Sequence, residues 1–159
     1  MTTTEWETPQ ILFDTLEAEF GFTIDVCARR ENAKCSRFYS RQHDALDRDW
    51  SSEVVWMNPP YNKSDRPWVR KAYRSAQAGA TVVCLLQARA ADSEMWHQYV
   101  MKACEWRFVR DRLHFTRLDG FSARANLSSV IVIFRPGCQG PPAVSSIDTR
   151  GRPIEVPAL

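Results

Sequence analysis

The sequence predicts an α/β fold in which a mostly parallel sheet is flanked by helices. Two observations carry this. Apolar, β-branched runs at 54–57 and 81–87 have the look of strands covered on both faces. Between such runs lie segments whose apolar residues recur every four positions, the spacing of a helix with one buried face. Strands alternating with helices give a layered α/β sheet.

Each element has its own signal. Thr8 can cap a helix whose first residue is Pro9. Leu12, Leu16 and Phe20 line its inner face, and Gly21 is a natural stop. A short strand follows at 22–26, then a helical turn at 31–35 and a strand at 37–40. The run Val54-Val55-Trp56-Met57 is a buried strand. Ser64 or Asp65 opens the next helix, with Trp68, Ala72 and Ala76 inward and Gly79 closing it. Residues 81–87 form another buried strand. Asp92 or Ser93 starts a helix through Ala103, and 105–109 is the next strand. Residues 112–115 and 128–134 can pair as the last strands of the sheet. From Pro136 the chain is rich in Pro, Gly and Ser without periodicity, so 136–159 is expected to be an irregular tail after a domain at 1–135.

Composition narrows the class. The chain of 159 residues suits one domain, and 44% hydrophobic with 25% charged residues is ordinary for a globular protein. No run is long and apolar enough to cross a membrane. Met1 to Glu7 is polar and acidic, unlike a signal peptide. Five scattered cysteines without paired spacing read as reduced thiols in the cytoplasm. Net charge is only +2, but arginine supplies 17 of 21 basic residues, and its planar fork matches phosphates. Codon usage explains that bias equally well. His43, His97 and His114 stand apart with no HxxxH or cysteine pair, so no metal site is expected.

The chemical signal is Asn58-Pro59-Pro60-Tyr61, directly after an apolar strand. Ligands bind at the carboxyl ends of strands in open α/β sheets. The tetrapeptide arises by chance on the order of once in a thousand chains of this length. A planar amino group is a poor nucleophile because its lone pair is delocalised. Two acceptors, one for each N–H, favour a tetrahedral nitrogen and localise that pair. The Asn58 amide oxygen and the Pro59 carbonyl can be those acceptors. Two prolines make the segment stiff and poor in competing donors, an acceptor site organised in advance. Tyr61 can stack on the face of a base.

With these residues the sequence resembles the small phage-type DNA N-6-adenine methyltransferases. Further matches are Trp6-Glu7-Thr8-Pro9, Phe20-Gly21-Phe22, Asp25-Val26-Cys27-Ala28, Asn32-Ala33-Lys34-Cys35, Phe38-Tyr39-Ser40, Ala45-Leu46 and Asp49-Trp50. Later come Ala88-Arg89, Trp96-His97, Arg107-Phe108 and Arg112-Leu113, and the likeness runs from about Glu5 to Phe134. The resemblance implies a Rossmann-like methyltransferase fold over 1–135, S-adenosylmethionine as methyl donor and adenine in double-stranded DNA as acceptor. It implies a phage- or prophage-encoded protein acting in a bacterial cytoplasm, in the manner of restriction–modification enzymes. Asn58, Pro59, Pro60 and Tyr61 would be catalytic. The cofactor would meet Trp6, Thr8, Pro9, Asp25, Cys27, Ala28, Asp44, Asp49, Trp50 and Asn58. One departure is that the loop after the first strand, Asp25 to Arg30, has no glycine, where most methyltransferases have several.

Some readings stay open. Asp25 is a cofactor ligand or a strand-end cap. Trp6 covers the cofactor or the core. Arg89 holds a phosphate or caps carbonyls. The loops at 63–66, 89–94 and 117–124 offer Lys63, Arg66, Arg89, Arg117 and Arg124 to DNA, or are merely solvated. The tetrapeptide also suits RNA adenine, protein glutamine or cytosine N4, and the missing glycines leave room for a non-catalytic DNA-binding module.

Overall fold

The computed structural model describes residues 6–61, 65–89, 91–155 and 158. Alternation along its central strands builds three layers. Strands β1 (Ile24–Asp25), β2 (Val54–Met57) and β3 (Thr81–Gln87) pair in parallel, with Ile24 beside Val55 and Val55 beside Val82. Strands β4 (Glu105–Val109), β7 (Ser129–Phe134) and β8 (Ala143–Ile147) complete a sheet ordered β1-β2-β3-β7-β4-β8. Only β7 runs against the others, so five of the six strands share one direction.

Side chains leave a strand alternately up and down. Val55, Met57, Val82, Cys84, Val130 and Val132 therefore pack on one face, under helices α2 (Asp65–Gln77) and α3 (Glu94–Gln98). Trp56, Val83, Leu85, Ile131 and Ile133 pack on the other, under helix α1 (Gln10–Phe20). Leu12, Phe13 and Leu16 close that face, and Phe13 lies 5.5 Å edge-on to Trp56. The α/β class read from the sequence is the architecture observed.

Several local expectations differ. Helix α1 begins at Gln10; Pro9 takes the cap position with no side-chain cap, and Thr8 is turned elsewhere. The expected turn at 31–35 is a turn at 30–32, and the expected strand at 37–40 shrinks to one bridge, Phe38 to Asp25. Ser93 does cap α3, accepting from Trp96 N at 3.3 Å, but that helix ends at Gln98 and a 3-10 turn, Val100–Lys102, follows. Residues 112–115 and 128–134 do not pair. Instead β5 (His114–Thr116) and β6 (Ser122–Arg124) form a separate hairpin, while β7 inserts between β3 and β4. All six residues of β7 are buried, which suits a central position rather than an edge.

The segment from Pro136, expected to be irregular, contributes β8, and Ile147 is buried in the core. Cys104 and Cys138, read as reduced thiols, form a disulfide that joins the start of β4 to the turn ahead of β8. Cys27, Cys35 and Cys84 are free. No helix among the described residues is long and apolar enough to cross a membrane.

Candidate active site

The carboxyl ends of β1 and β2 open into a cavity of about 890 Å³, and Asn58, Pro59, Pro60 and Tyr61 form part of its wall. The chain leaves β2 with Pro59 buried and Asn58 half-buried. The Asn58 amide is fixed at both ends. Its Nδ2 donates to Thr8 Oγ1 at 3.0 Å, and its Oδ1 accepts from the Tyr61 hydroxyl. The same hydroxyl also reaches the Leu85 carbonyl on β3 at 2.9 Å. Burial pushes the Tyr61 phenol well above its ordinary pKa, with Cys27 and Cys84 adding to the effect, so Tyr61 is a donor and not a base. Its ring packs edge-on against Phe115, 6.4 Å between centroids. The guanidinium of Arg89 donates to the Tyr61 carbonyl at 2.6 Å and fixes the far end of the motif.

The loop after β1 reveals what replaces the glycines. Asp25 is buried, and its two carboxylate oxygens accept from Cys27 N at 3.1 Å and Lys34 N at 3.0 Å. Burial raises the Asp25 pKa, and the two backbone donors pull it back. One carboxylate thus gathers both ends of a loop that would otherwise need backbone freedom. Inside it Arg29 N donates to Asn32 Oδ1 at 2.6 Å. Asp25, Cys27, Ala28, Arg29, Asn32 and Lys34 all face the cavity. The Cys27 thiol is pushed far up in pKa by burial and by Asp25, which leaves it unreactive.

A third wall comes from two 3-10 turns, Arg41–His43 and Ala45–Asp47. Between them Asp44 adopts a left-handed conformation at φ 47°, and Asp44 and Asp47 both line the cavity. Aspartate tolerates that region better than most side chains. Trp50 is only 1% exposed; its indole N–H holds the Ala45 carbonyl at 3.0 Å, and Trp68 stacks on it.

The sequence-derived candidates fall into groups. Trp6, Thr8, Asp25, Cys27, Ala28, Asp44 and the four motif residues meet in one cavity. Pro9, Asp49 and Trp50 are not among its lining residues: Pro9 caps α1, Asp49 accepts from Ser51 N at the surface, and Trp50 supports the wall from behind. Arg124 lines the cavity. Arg117 pairs with Asp119 and lies over the rings of Trp6 and Phe121 at 5.7 and 4.9 Å. Arg66 pairs with Glu94 at 3.0 Å. Lys63 lies outside the described residues. Phe115, Asp47 and Lys34 also line the cavity. Sequence reasoning gave none of them a site role, because nothing local marks a residue that folding brings to a distant strand end. Among the described residues no three His, Cys, Asp or Glu side chains cluster as a metal would require.

The sheet is mostly parallel, and Asn-Pro-Pro-Tyr stands at a strand's carboxyl end in the wall of the cavity. The chain belongs to the DNA N-6-adenine-methyltransferase (Dam) family, whose profile matches residues 2–152. It is similar to the DNA N-6-adenine-methyltransferase of Escherichia phage T1, at 35% identity over 85 residues. That match covers 52% of this chain and 35% of the phage protein, so the chain spans about a third of that relative's length. It is also similar to YfdM of Escherichia coli strain K12, which carries a methyltransferase name, at 34% identity over 71 residues. This second match covers 40% of this chain and 72% of YfdM.

Proposed function

We propose that the protein transfers a methyl group from S-adenosylmethionine to the N6 amino group of adenine in double-stranded DNA, on a base turned out of the helix. The observation that carries this reading is the Asn58 amide, locked in orientation inside the cavity. The bond from Nδ2 to Thr8 fixes which end of the amide is oxygen, and that oxygen already accepts from Tyr61. A carbonyl oxygen has two lone pairs, so Oδ1 can take an N–H while Tyr61 donates to it. As the amine enters, Tyr61 can lean its proton toward the Leu85 carbonyl and free Oδ1 further. The Pro59 carbonyl is the second acceptor. Together they draw the amine toward tetrahedral geometry without a strong base.

The lining residues fit the methyl donor. The Asp44 and Asp47 carboxylates suit ribose hydroxyls, Ala45 and Leu46 beside them suit a purine face, and the Lys34 ammonium suits an amino-acid carboxylate. When bound, the donor supplies a methyl already activated on a sulfonium. Asn58 is half-buried within the cavity, where a stacked base cannot reach it, hence the turned-out base. Arg124 at the cavity, and Arg117 once a phosphate replaces Asp119, would hold the DNA backbone. The phage relative supports a phage or prophage origin.

The test is direct. The protein is incubated with S-adenosylmethionine and unmethylated mixed-sequence duplex DNA, and the digested nucleosides are read by mass spectrometry. Wild type is expected to form N6-methyladenine. Asn58→Ala is expected to lose at least about a hundredfold in rate, the scale of one preorganised group. S-adenosylhomocysteine should still raise the melting temperature of both proteins. N4-methylcytosine, or methylated RNA or protein glutamine in place of DNA adenine, would reassign the acceptor. No transfer together with no stabilisation would leave a DNA-binding module without catalysis.

A further inference from the structure

The β5–β6 hairpin stands beside the cavity and is tied to the motif at two points. Its inward residue, Phe115, is buried and packs on Tyr61. Its backbone accepts from the segment that carries Thr8, Glu7 N donating to the Thr116 carbonyl at 2.7 Å. The turn of this hairpin, Arg117 to Phe121, carries two exposed apolar side chains among its polar ones. Phe121 is 54% exposed and Leu118 is 38% exposed. Ile11, Met101 and Val144, by contrast, are exposed one at a time on other elements. Single exposed apolar residues need no explanation; two on one projecting turn do. The Phe121 ring is held rather than loose, with Arg117 over it at 4.9 Å and the Trp6 ring at 6.2 Å. Trp6 lines the cavity, so Phe121 stands at the rim. Arg124 follows three residues on and lines the cavity.

We propose that Phe121 is a wedge: its ring enters the base stack of duplex DNA and fills the place left by the adenine that turns into the cavity. This deepens the reading above and rests on it. Turning out a base sacrifices stacking on both neighbours, and an inserted apolar side chain restores part of it. An aromatic ring beside arginine is the chemistry that stacks on bases while the backbone is held. The pairing of Arg117 with Asp119 keeps that guanidinium in place until a phosphate competes for it.

The experiment uses the full chain and the target site found by sequencing wild-type product. 2-Aminopurine replaces the target adenine, and its fluorescence reports unstacking while anisotropy reports binding. Wild type is expected to raise the fluorescence. Phe121→Ala is expected to bind the duplex but lose most of the rise, and to methylate the normal duplex at least about tenfold more slowly, the scale of one lost stacking contact. The rise should return when the target base is mismatched, since extrusion is then easier. Phe121→Trp should behave as wild type. A full fluorescence rise from Phe121→Ala overturns the proposal. So does a parallel loss of binding and fluorescence on paired and mismatched DNA, which would make the ring a packing residue. A wild-type protein that methylates DNA without raising the fluorescence removes base extrusion and the wedge with it. Absence of methyl transfer by wild type fails the parent reading, and that lane distinguishes the two failures.

Discussion

Asn58 and Thr8 are 50 residues apart in sequence and 3.0 Å apart in the fold. The tetrapeptide was legible because its chemistry is local: two prolines after an apolar strand, an amide before them and a phenol after. Thr8 was legible as a polar residue near a helix start, but its partner was not. A hydroxyl can cap a helix or hold a distant amide, and only the folded chain decides which. Asp25 was likewise left between ligand and cap, and its oxygens turn out to hold Cys27 N and Lys34 N. At this scale Tyr61→Phe isolates the hydroxyl from the ring. Losing one hydrogen bond of about 0.5–1.5 kcal/mol should lower kcat two- to tenfold, while S-adenosylhomocysteine affinity stays unchanged. Titration calorimetry beside single-turnover kinetics checks both. A fall in affinity equal to the fall in rate would make the hydroxyl a general support of the cavity.

Helices α1 and α2 were readable from four-residue spacing, and β2 and β3 from apolar runs. The order of strands was not. Residues 129–134 announce burial on both faces, and that property fits any interior position of a sheet. Strand β8 was hidden for the opposite reason. Ala-Val-Ser-Ser-Ile is small and half polar, and its neighbours include Pro141, Pro142 and Pro153. Its evidence is tertiary: parallel pairing with β4, and an Arg110 N–H bonded to the Ile147 carbonyl at 2.8 Å. If β8 belongs to the cooperative fold, Ile147→Ala should cost about 2–5 kcal/mol, the usual range for truncating a buried isoleucine. Urea unfolding followed by tryptophan fluorescence measures this. A cost near zero would mean that β8 lies on the sheet without supporting it.

Over the whole molecule, the excess of arginine over lysine stood between codon usage and function. The structure engages much of it internally: Arg37, Arg66, Arg107, Arg117, Arg135 and Arg152 all form ion pairs. One pair predicts how the fold responds to acid. Glu53 accepts from both terminal nitrogens of Arg37 and from the Thr23 hydroxyl. The Arg37 hydrogen bonds, ahead of the Thr23 bond, hold its carboxyl below the ordinary value of 4.5. A carboxylate depressed by folding adds stability that is complete above its unfolded pKa and is lost as pH falls through the folded one. The melting temperature of wild type should therefore exceed that of Glu53→Gln at neutral pH. The gap should close below about pH 4. A gap that persists in acid would show that charge is not its source.

The carboxylate that gathers the loop after β1 has a consequence for how such a site can diversify. A turn made of glycines surrenders its side chains to obtain its shape. Here the shape is set largely by one anchor at the strand end, and Cys27, Ala28, Arg29 and Asn32 keep their side chains in the lining of the cavity. Scaffold and contact surface are thus separate inheritances, and the second can be rewritten residue by residue while Asp25 keeps the first.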